Sequence, residues 1–406
     1  MDLLEVGEAR RRILEAFQPL SPTSLPVGEA LGYVTAEDLV APHALPRFDN
    51  SAMDGYAVRA ADVGSASEEA PVRLEIVGEI AAGSAGQEVR PGTAVRIMTG
   101  APVPPGGDAI VAVEVTSESE GAVEVTEPSE VGRYIRPAGD DVKEGSVVVE
   151  AGSELGPGEL ALVASLGLSP VSVHPRPTVA VLVTGAELVA PEEEPGPGQI
   201  RDSNSVALRA LVINAGGDPT TFGPVSDDLD ATVDVLRRAA EGSDLVVSSG
   251  GVSMGRYDFV KDAVEKIGEI DFWRVAMQPG KPVVSGRVGS TPFLGLPGNP
   301  VSIHIGFEQF VRPAIRKMRG CRALLRPVIS ARLAEAITKR PGRLHFVRVR
   351  LEWEDGGLIA TPTGPQGSHV QSSLVGCDGV VPFARDASEL RAGDAVEVEV
   401  WRLPDR

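Results

Sequence analysis

Apolar and polar positions alternate in different rhythms along the chain, and each change of rhythm marks a change of element. At the N-terminus Leu3, Leu4, Ile13, Leu14 and Phe17 recur among charges at helical spacing, which predicts an amphipathic helix to about Phe17. The next stretch, "PLSPTSLPVGEALGYVTAEDL", admits a short helix or a strand. After Pro46 the period falls to two: "VRLEIVGEI", "TAVRIMTG", "AIVAVEVT" and "GAVEVTE" read as strands between Gly/Pro turns, up to about Gly139. "GSELGPGELALVASLGLSPVSVHP" then returns to a helical pattern. The reading is a β-rich domain, residues 46–139, inserted into a helical N-terminal domain made of residues 1–45 and 140–175.

From Thr178 strand and helix patterns alternate. "TVAVLVTG" is a strand, "SNSVALRALVINAGG" a helix capped by Ser203, "DPTTFGPV" a strand, and Leu229 to about Ala240 a helix. "DLVVSSGG" and a helix opened by Tyr257 follow, then "FLGLPG" and "PVSIHIGFEQFVRPAIRKMRG". Repeated strand–loop–helix units predict a mostly parallel sheet with helices on its faces over residues 176–325. Residues 326–406 are again β-patterned ("FVRVRLEWEDGGLIATPTG", "DAVEVEVW") and predict a compact C-terminal β-barrel. The fold class is multidomain α/β plus β.

Composition fits that picture. Of 406 residues 42% are apolar and only 4% aromatic, enough for several cores built on Val, Leu, Ala and Ile. Gly (46) and Pro (33) are frequent enough to punctuate many short strands, and too few to signal disorder. A net charge of −19 argues against nucleic-acid or anionic-membrane partners, while leaving room for an anionic small molecule in a locally basic cleft. Two cysteines, Cys321 and Cys377, give no disulfide framework, and no run of about 18 apolar residues exists to span a bilayer. The expected setting is the cytoplasm.

Three loops follow the carboxyl ends of expected strands: Thr184-Gly185-Ala186-Glu187, Ser248 to Gly255, and Leu296-Pro297-Gly298-Asn299-Pro300. Glycine lets backbone approach a ligand closely, and the helices that follow offer N–H groups to an anion. Gly251-Val252-Ser253-Met254-Gly255 also matches a G-x-S-x-G nucleophile elbow, with Asp271 and His304, His345 or His369 as nominal partners. Too few strands precede it for a hydrolase sheet, and the Ser248-Ser249-Gly250-Gly251 run suits an anion nest better. No Walker A or dinucleotide fingerprint occurs, and the five histidines lack zinc spacing. Glu187, Asp202, Asp227, Asp228, Asp244 and Asp258 flank the loops. Hard carboxylates without His or thiolate neighbours suit Mg²⁺, although Asp202 and Asp228 also read as helix caps.

"DNSAMDGYAV" (49–58), "GEIAAG" (78–83), "RIMTGAPVPPGGDAIV" (96–111), "VTGAELV" (183–189), "SSGGVSMGRYD" (248–258), "MQPGKPV" (277–283) and "GLPGNPVS" (295–302) together resemble the MoeA-type molybdopterin molybdenumtransferases, which are related to the C-terminal domain of gephyrin. The resemblance runs in order along the whole chain. It implies an L-shaped four-domain subunit and a homodimer whose clefts are shared between one subunit's α/β and barrel domains and the partner's inserted domain. The implied reaction is Mg²⁺-dependent insertion of molybdenum from molybdate into adenylylated molybdopterin, with release of AMP and room for a transient contact with the adenylylating enzyme.

Carried over motif by motif, the resemblance gives catalytic roles to Asp54, Thr99, Asp141, Glu187, Asp227 and Asp258, with Glu187, Asp227 and Asp258 as metal ligands. It places Ser248, Gly250, Gly251, Ser253 and Gly255 at the pterin and phosphate ends of the substrate. Lys281, Pro282, Pro297, Gly298, Asn299, Ser302, Arg348 and Ser368 complete the substrate side. Ala186 stands where an acid is common, and Gln278 where a lysine is common, which would shift the burden of oxyanion binding to Lys281 and Arg274. A gephyrin-like scaffold and a pterin adenylyltransferase are the rival readings.

Overall fold

The computed structural model describes residues 3–81, 83, 86–226, 228–252, 259–354 and 356–404. At its centre, strand Thr178–Thr184 runs parallel to Asp218–Val225 on one side and Leu245–Ser249 on the other, and Leu245–Ser249 runs parallel to Thr291–Leu296. Val284–Val288 and Gly268–Trp273 extend this sheet antiparallel. Both faces of the central strands Thr178–Thr184 and Leu245–Ser249 are covered, which is why their middles are continuously apolar, whereas the edge strand Asp218–Val225 is largely exposed. Val179, Val181, Val183, Leu245 and Val247 enter one core with helix Asn204–Ala215. Ala180, Leu182 and Val246 face a second core with helices Leu229–Glu241 and Phe259–Ile267. Each buried Val or Leu contributes about 1.5–3 kcal/mol relative to exposure, so a charge at either parity of strand Thr178–Thr184 would break the domain.

Carboxylates cap two helices of this domain. Asp228 accepts from the Ala231 N–H at 2.8 Å. At helix Asn204–Ala215 the cap position is Ser203, as its place in the sequence suggests, but its side chain makes no capping bond. Asp202 takes that part, accepting from the N–H groups of Asn204 at 3.1 Å and Ser205 at 3.0 Å. A carboxylate also complements the positive end of the helix dipole, which a hydroxyl does not.

The N-terminal part is less helical than its pattern suggests. Helix Val6–Glu15 packs Val6, Ala9 and Ile13, followed by Phe17, into the first α/β core beside Ile315 and Met318. A separate core joins Ala30, Leu39, Val149, Leu155, Val163, Val171 and Val173, so chain from before and after the insertion does meet. The helix expected after the insertion is Pro157–Ser165, which packs Val163 into this core, and short strands surround it: Thr23–Leu25 and Val34–Thr35 flank Val171–His174, and Leu39–Val40 pairs with Val147–Val149. Pro19, Pro22 and Pro26 lack the amide donors a longer helix would need.

The insertion is a six-stranded sheet in the order Ala109–Ala112, Gly55–Val58, Thr93–Ile97, Val72–Ile80, Ala122–Val125, Thr116–Ser119. At the C-terminus, Leu344–Glu354, Gly357–Pro362, Val328–Leu333, Ala395–Val400 and Gly379–Phe383 pair in a ring, and Gly379–Phe383 returns to Leu344–Glu354 to close a barrel. Among the described residues no helix is long and apolar enough to cross a membrane.

Candidate active site

The parallel strands end level with one another. Val183 stands opposite Ser249, and Ser249 opposite Leu296, so the loops after them leave from one carboxyl edge. Gly250 and Gly251 have φ of 87° and 69°. A β-carbon on Gly251 would lie 2.3 Å from Cγ2 of Val260, so both conformation and space require glycine there. The Gly250 N–H donates to the Leu296 carbonyl at 3.0 Å, tying the second loop to the third. Asn204 adds a clamp: its side-chain amide donates to Ser249 Oγ at 3.1 Å and to the Gly298 carbonyl at 2.8 Å.

The barrel supplies the facing wall. Met277–Gln278 leaves the α/β sheet and pairs in parallel with Leu344 and His345, which anchors the Pro279–Pro282 loop to the barrel. Asn299 Nδ2 donates to Ser368 Oγ at 3.1 Å, and the Val301 N–H donates to the Ser368 carbonyl at 3.3 Å. Between these walls lies a cavity of about 660 Å³, within the range typical of small-molecule sites. Glu187, Asn204, Pro297, Gly298, Asn299 and Ser302 line its α/β side, and Arg343, Gln366, Gly367 and Ser368 its barrel side, with Gln278 and Pro282 between.

Seven of the residues expected at the site thus share one cavity: Glu187, Pro282, Pro297, Gly298, Asn299, Ser302 and Ser368. Gly250 and Gly251 stand just behind it. Lys281 is not among the lining residues, and its carbonyl accepts from the Val275 N–H at 2.9 Å. Ser248 is fully buried, with no partner for its hydroxyl among the described residues. Arg348 is also fully buried. Its Nε donates to Ser373 Oγ at 2.7 Å and its Nη2 to the Pro365 carbonyl at 3.2 Å and the Gly367 carbonyl at 3.4 Å, so it shapes the loop that carries Ser368.

Asp54 and Thr99 form a pair on the exposed surface of the inserted sheet. Asp54 Oδ1 accepts from the Thr99 N–H at 2.7 Å and from Thr99 Oγ1 at 2.8 Å. The N–H first, and then the hydroxyl, hold the Asp54 carboxyl below the usual range. Asp141 is exposed on a turn whose backbone pairs with Leu45. None of these three lines the cavity of its own chain. Asp227, Ser253, Gly255 and Asp258 lie outside the described residues.

Of the nominal hydrolase partners, His304 stacks on Trp401 at 4.7 Å and Asp271 faces Ser285 at 3.4 Å. Motif reading passed over Asn204, Arg343 and Gln366. Asn204 was detectable as the residue two after a capping carboxylate at a strand-to-helix turn, and Arg343 as a second arginine five residues before Arg348. Only the fold shows which arginine faces the cavity.

Three family models match in chain order: "MoeA N-terminal region (domain I and II)" over residues 4–167, "Probable molybdopterin binding domain" over 180–317, and "MoeA C-terminal region (domain IV)" over 330–401. Two crystal structures of a molybdopterin biosynthesis MoeA protein from Pyrococcus horikoshii superpose with TM-scores of 0.85 and 0.84 at 32% and 30% identity, covering 99% and 98% of this chain and 100% of theirs. Fold and cleft therefore define a MoeA-type multidomain protein. Molybdopterin molybdenumtransferase 2 of Mycobacterium tuberculosis is 41% identical over 98% of this chain and 99% of its own length. The molybdopterin molybdenumtransferase of Haemophilus influenzae is 37% identical over 98% of each. The chain belongs to the molybdopterin molybdenumtransferase family.

Proposed function

We propose that this protein inserts molybdenum from molybdate into adenylylated molybdopterin in an Mg²⁺-dependent reaction that releases AMP, a late step of molybdenum cofactor biosynthesis. The supporting observation is the cavity itself. It joins a glycine-bearing sheet edge to a barrel wall of amide, hydroxyl and guanidinium groups. In a chain of net charge −19, its charged lining is two arginines, Arg201 and Arg343, against Glu187. Arg201 is paired with Glu194, so Arg343 offsets Glu187 and the described lining lacks the acidic excess of the rest of the chain, a local relief of negative charge that suits an anionic substrate.

The residues present are compatible with Mg²⁺. Glu187 is exposed at the cavity, and its carboxylate folds over Gly185, where a β-carbon would come within 2.8 Å of Oε2. Among the described residues no side chain pairs with it, and a hard oxygen donor is what Mg²⁺ takes. Glu187, Asp227 and Asp258 would hold the ion, which when bound neutralises charge on the pyrophosphate. Asn204 and Gly250 hold the loops in place, Ser302 and Ser368 offer hydroxyls, and Arg348 braces the Ser368 loop. Ser248, Gly251, Ser253 and Gly255 belong to the turn read as an anion nest, and Lys281 to the loop that closes the barrel side. Together they position the phosphate and dithiolene ends of the substrate relative to molybdate.

Asp54, Thr99 and Asp141 need a second subunit to reach a cavity, so the functional unit in this reading is a homodimer with composite sites, located in the cytoplasm. A transient contact with the adenylylating enzyme would deliver the substrate. Incubating purified protein with adenylylated molybdopterin, Mg²⁺ and molybdate tests the proposal: molybdenum cofactor should form. Cofactor precursor made instead from free pterin and ATP would identify an adenylyltransferase, and neither product would leave the scaffold reading.

A further inference from the structure

We infer that Arg343 is an oxyanion-binding residue, holding a tetrahedral dianion against the barrel wall of the cavity; the inference rests on the molybdenumtransferase reading above. Its position is fixed by backbone on both sides. The Leu344 N–H donates to the Ala276 carbonyl at 3.0 Å, and Leu344 and His345 pair with Met277 and Gln278. The Arg343 carbonyl accepts from Lys339 Nζ at 3.2 Å. Arg343 therefore sits where the α/β segment docks on the barrel, on the same cavity wall as Gln278 and Ser368.

Charge separates it from its neighbours. The charged side chains on the described lining are Glu187, Arg201 and Arg343. Arg201 is already engaged, donating to Glu194 Oε2 at 2.8 Å and to the Pro191 carbonyl at 3.1 Å. Arg343 is exposed, and no carboxylate among the described residues pairs with it. Arg348, the other guanidinium of this segment, spends its Nε and Nη2 donors inside the barrel. Arg348 is thus buried behind the Ser368 loop, with Nη1 left without a partner among the described residues, whereas Arg343 is exposed on the cavity lining, where its guanidinium can offer a planar fork of donors. That fork matches two oxygens of a tetrahedral anion, which an amide such as Gln278 cannot do with charge. Behind it His345 is buried and stays neutral: burial first, and then the cations Arg348, Lys339 and Arg343, hold its pKa down to about 4.

Two anions share this chemistry, free molybdate and the phosphate of the pterin substrate, and saturation curves in each distinguish them. Wild type, Arg343→Ala and Arg343→Lys are compared for cofactor formation with molybdate varied at fixed pterin substrate, then the reverse. The expected result is a rise of at least about 10-fold in one half-saturation concentration for Arg343→Ala, with Arg343→Lys intermediate. The curve that moves identifies the anion. Both half-saturation values within about two-fold of wild type in Arg343→Ala would overturn the inference, whatever happens to the maximal rate. A wild-type protein that forms no cofactor would overturn the parent reading instead. Calorimetric titration with molybdate alone and with inorganic phosphate alone, on the same three proteins, would then decide Arg343: weakened binding of either anion in Arg343→Ala supports it, and unchanged binding of both sinks it.

Discussion

The side-chain amide of Asn204 donates to the Gly298 carbonyl at 2.8 Å while also donating to Ser249 Oγ at 3.1 Å, so one side chain fixes the spacing of two strand-end loops. Asn299, next to Gly298, carries the connection across to Ser368 on the barrel. Each such bond adds roughly 1 kcal/mol to stability, but its larger effect is on geometry at the cavity. Asn204→Ala is expected to lower kcat about 10-fold or more while thermal unfolding moves by only a few degrees. Steady-state kinetics beside calorimetry checks this. A fall in stability with unchanged kcat would reduce Asn204 to a structural role.

Thr99 should control the ionisation of Asp54. Its N–H and hydroxyl both favour the carboxylate, so the folded carboxyl titrates below its ordinary value of 3.8. A depressed folded pKa contributes stability above the unfolded value, and that contribution is lost as pH falls through the folded one. Thr99→Val removes the hydroxyl and leaves the N–H, so the Asp54 titration should move up toward 3.8 without reaching it. Carbon-detected NMR of the Asp54 carboxyl reads this directly, and an unmoved midpoint would mean the N–H alone sets it.

His345 gives a pH signature of opposite origin. Burial first, then nearby cations, push its imidazole down to about 4 from 6.5, and neither ring nitrogen has a partner among the described residues. Between those values the unfolded chain binds a proton that the folded chain refuses, so stability should fall as pH drops through that window, by up to about 3 kcal/mol. At pH 7 both states are neutral and the effect vanishes. His345→Gln should flatten urea-unfolding midpoints between pH 6.5 and 4 relative to wild type. A wild-type midpoint already flat over that range would show that His345 is not held neutral.

The distribution of expected site residues between two surfaces makes the homodimer testable. Asp54 precedes strand Gly55–Val58 of the inserted sheet, whereas Asp258 follows Leu245–Ser249 in the sequence and lies outside the described residues. Asp54→Ala and Asp258→Ala proteins, each inactive alone, should recover part of wild-type activity when mixed under conditions of subunit exchange. No recovery after exchange has been demonstrated would count against shared clefts.

Much of this architecture was legible because burial writes itself into strand sequences. "VAVLV" (179–183) and "LVV" (245–247) are apolar at every step since both sheet faces are covered, and glycines follow the strand ends at the edge where the loops leave the sheet. At the N-terminus the helix itself was legible, but its packing partner was not. Val6–Glu15 is amphipathic, but nothing local says that its apolar face meets Ile315 and Met318 three hundred residues away. Arg343 and Arg348 were indistinguishable as letters. Their difference arises from a pairing with Met277–Gln278 that crosses between domains, which no local pattern encodes.

The most direct measurement of the central claim is the ratio of AMP released to molybdenum bound when the purified protein turns over adenylylated molybdopterin with Mg²⁺ and molybdate. One AMP should appear for each molybdenum taken up by the pterin, and release should stop when either Mg²⁺ or molybdate is withheld. The account is contradicted if AMP appears without molybdenum uptake, or if molybdenum enters the pterin with no AMP released.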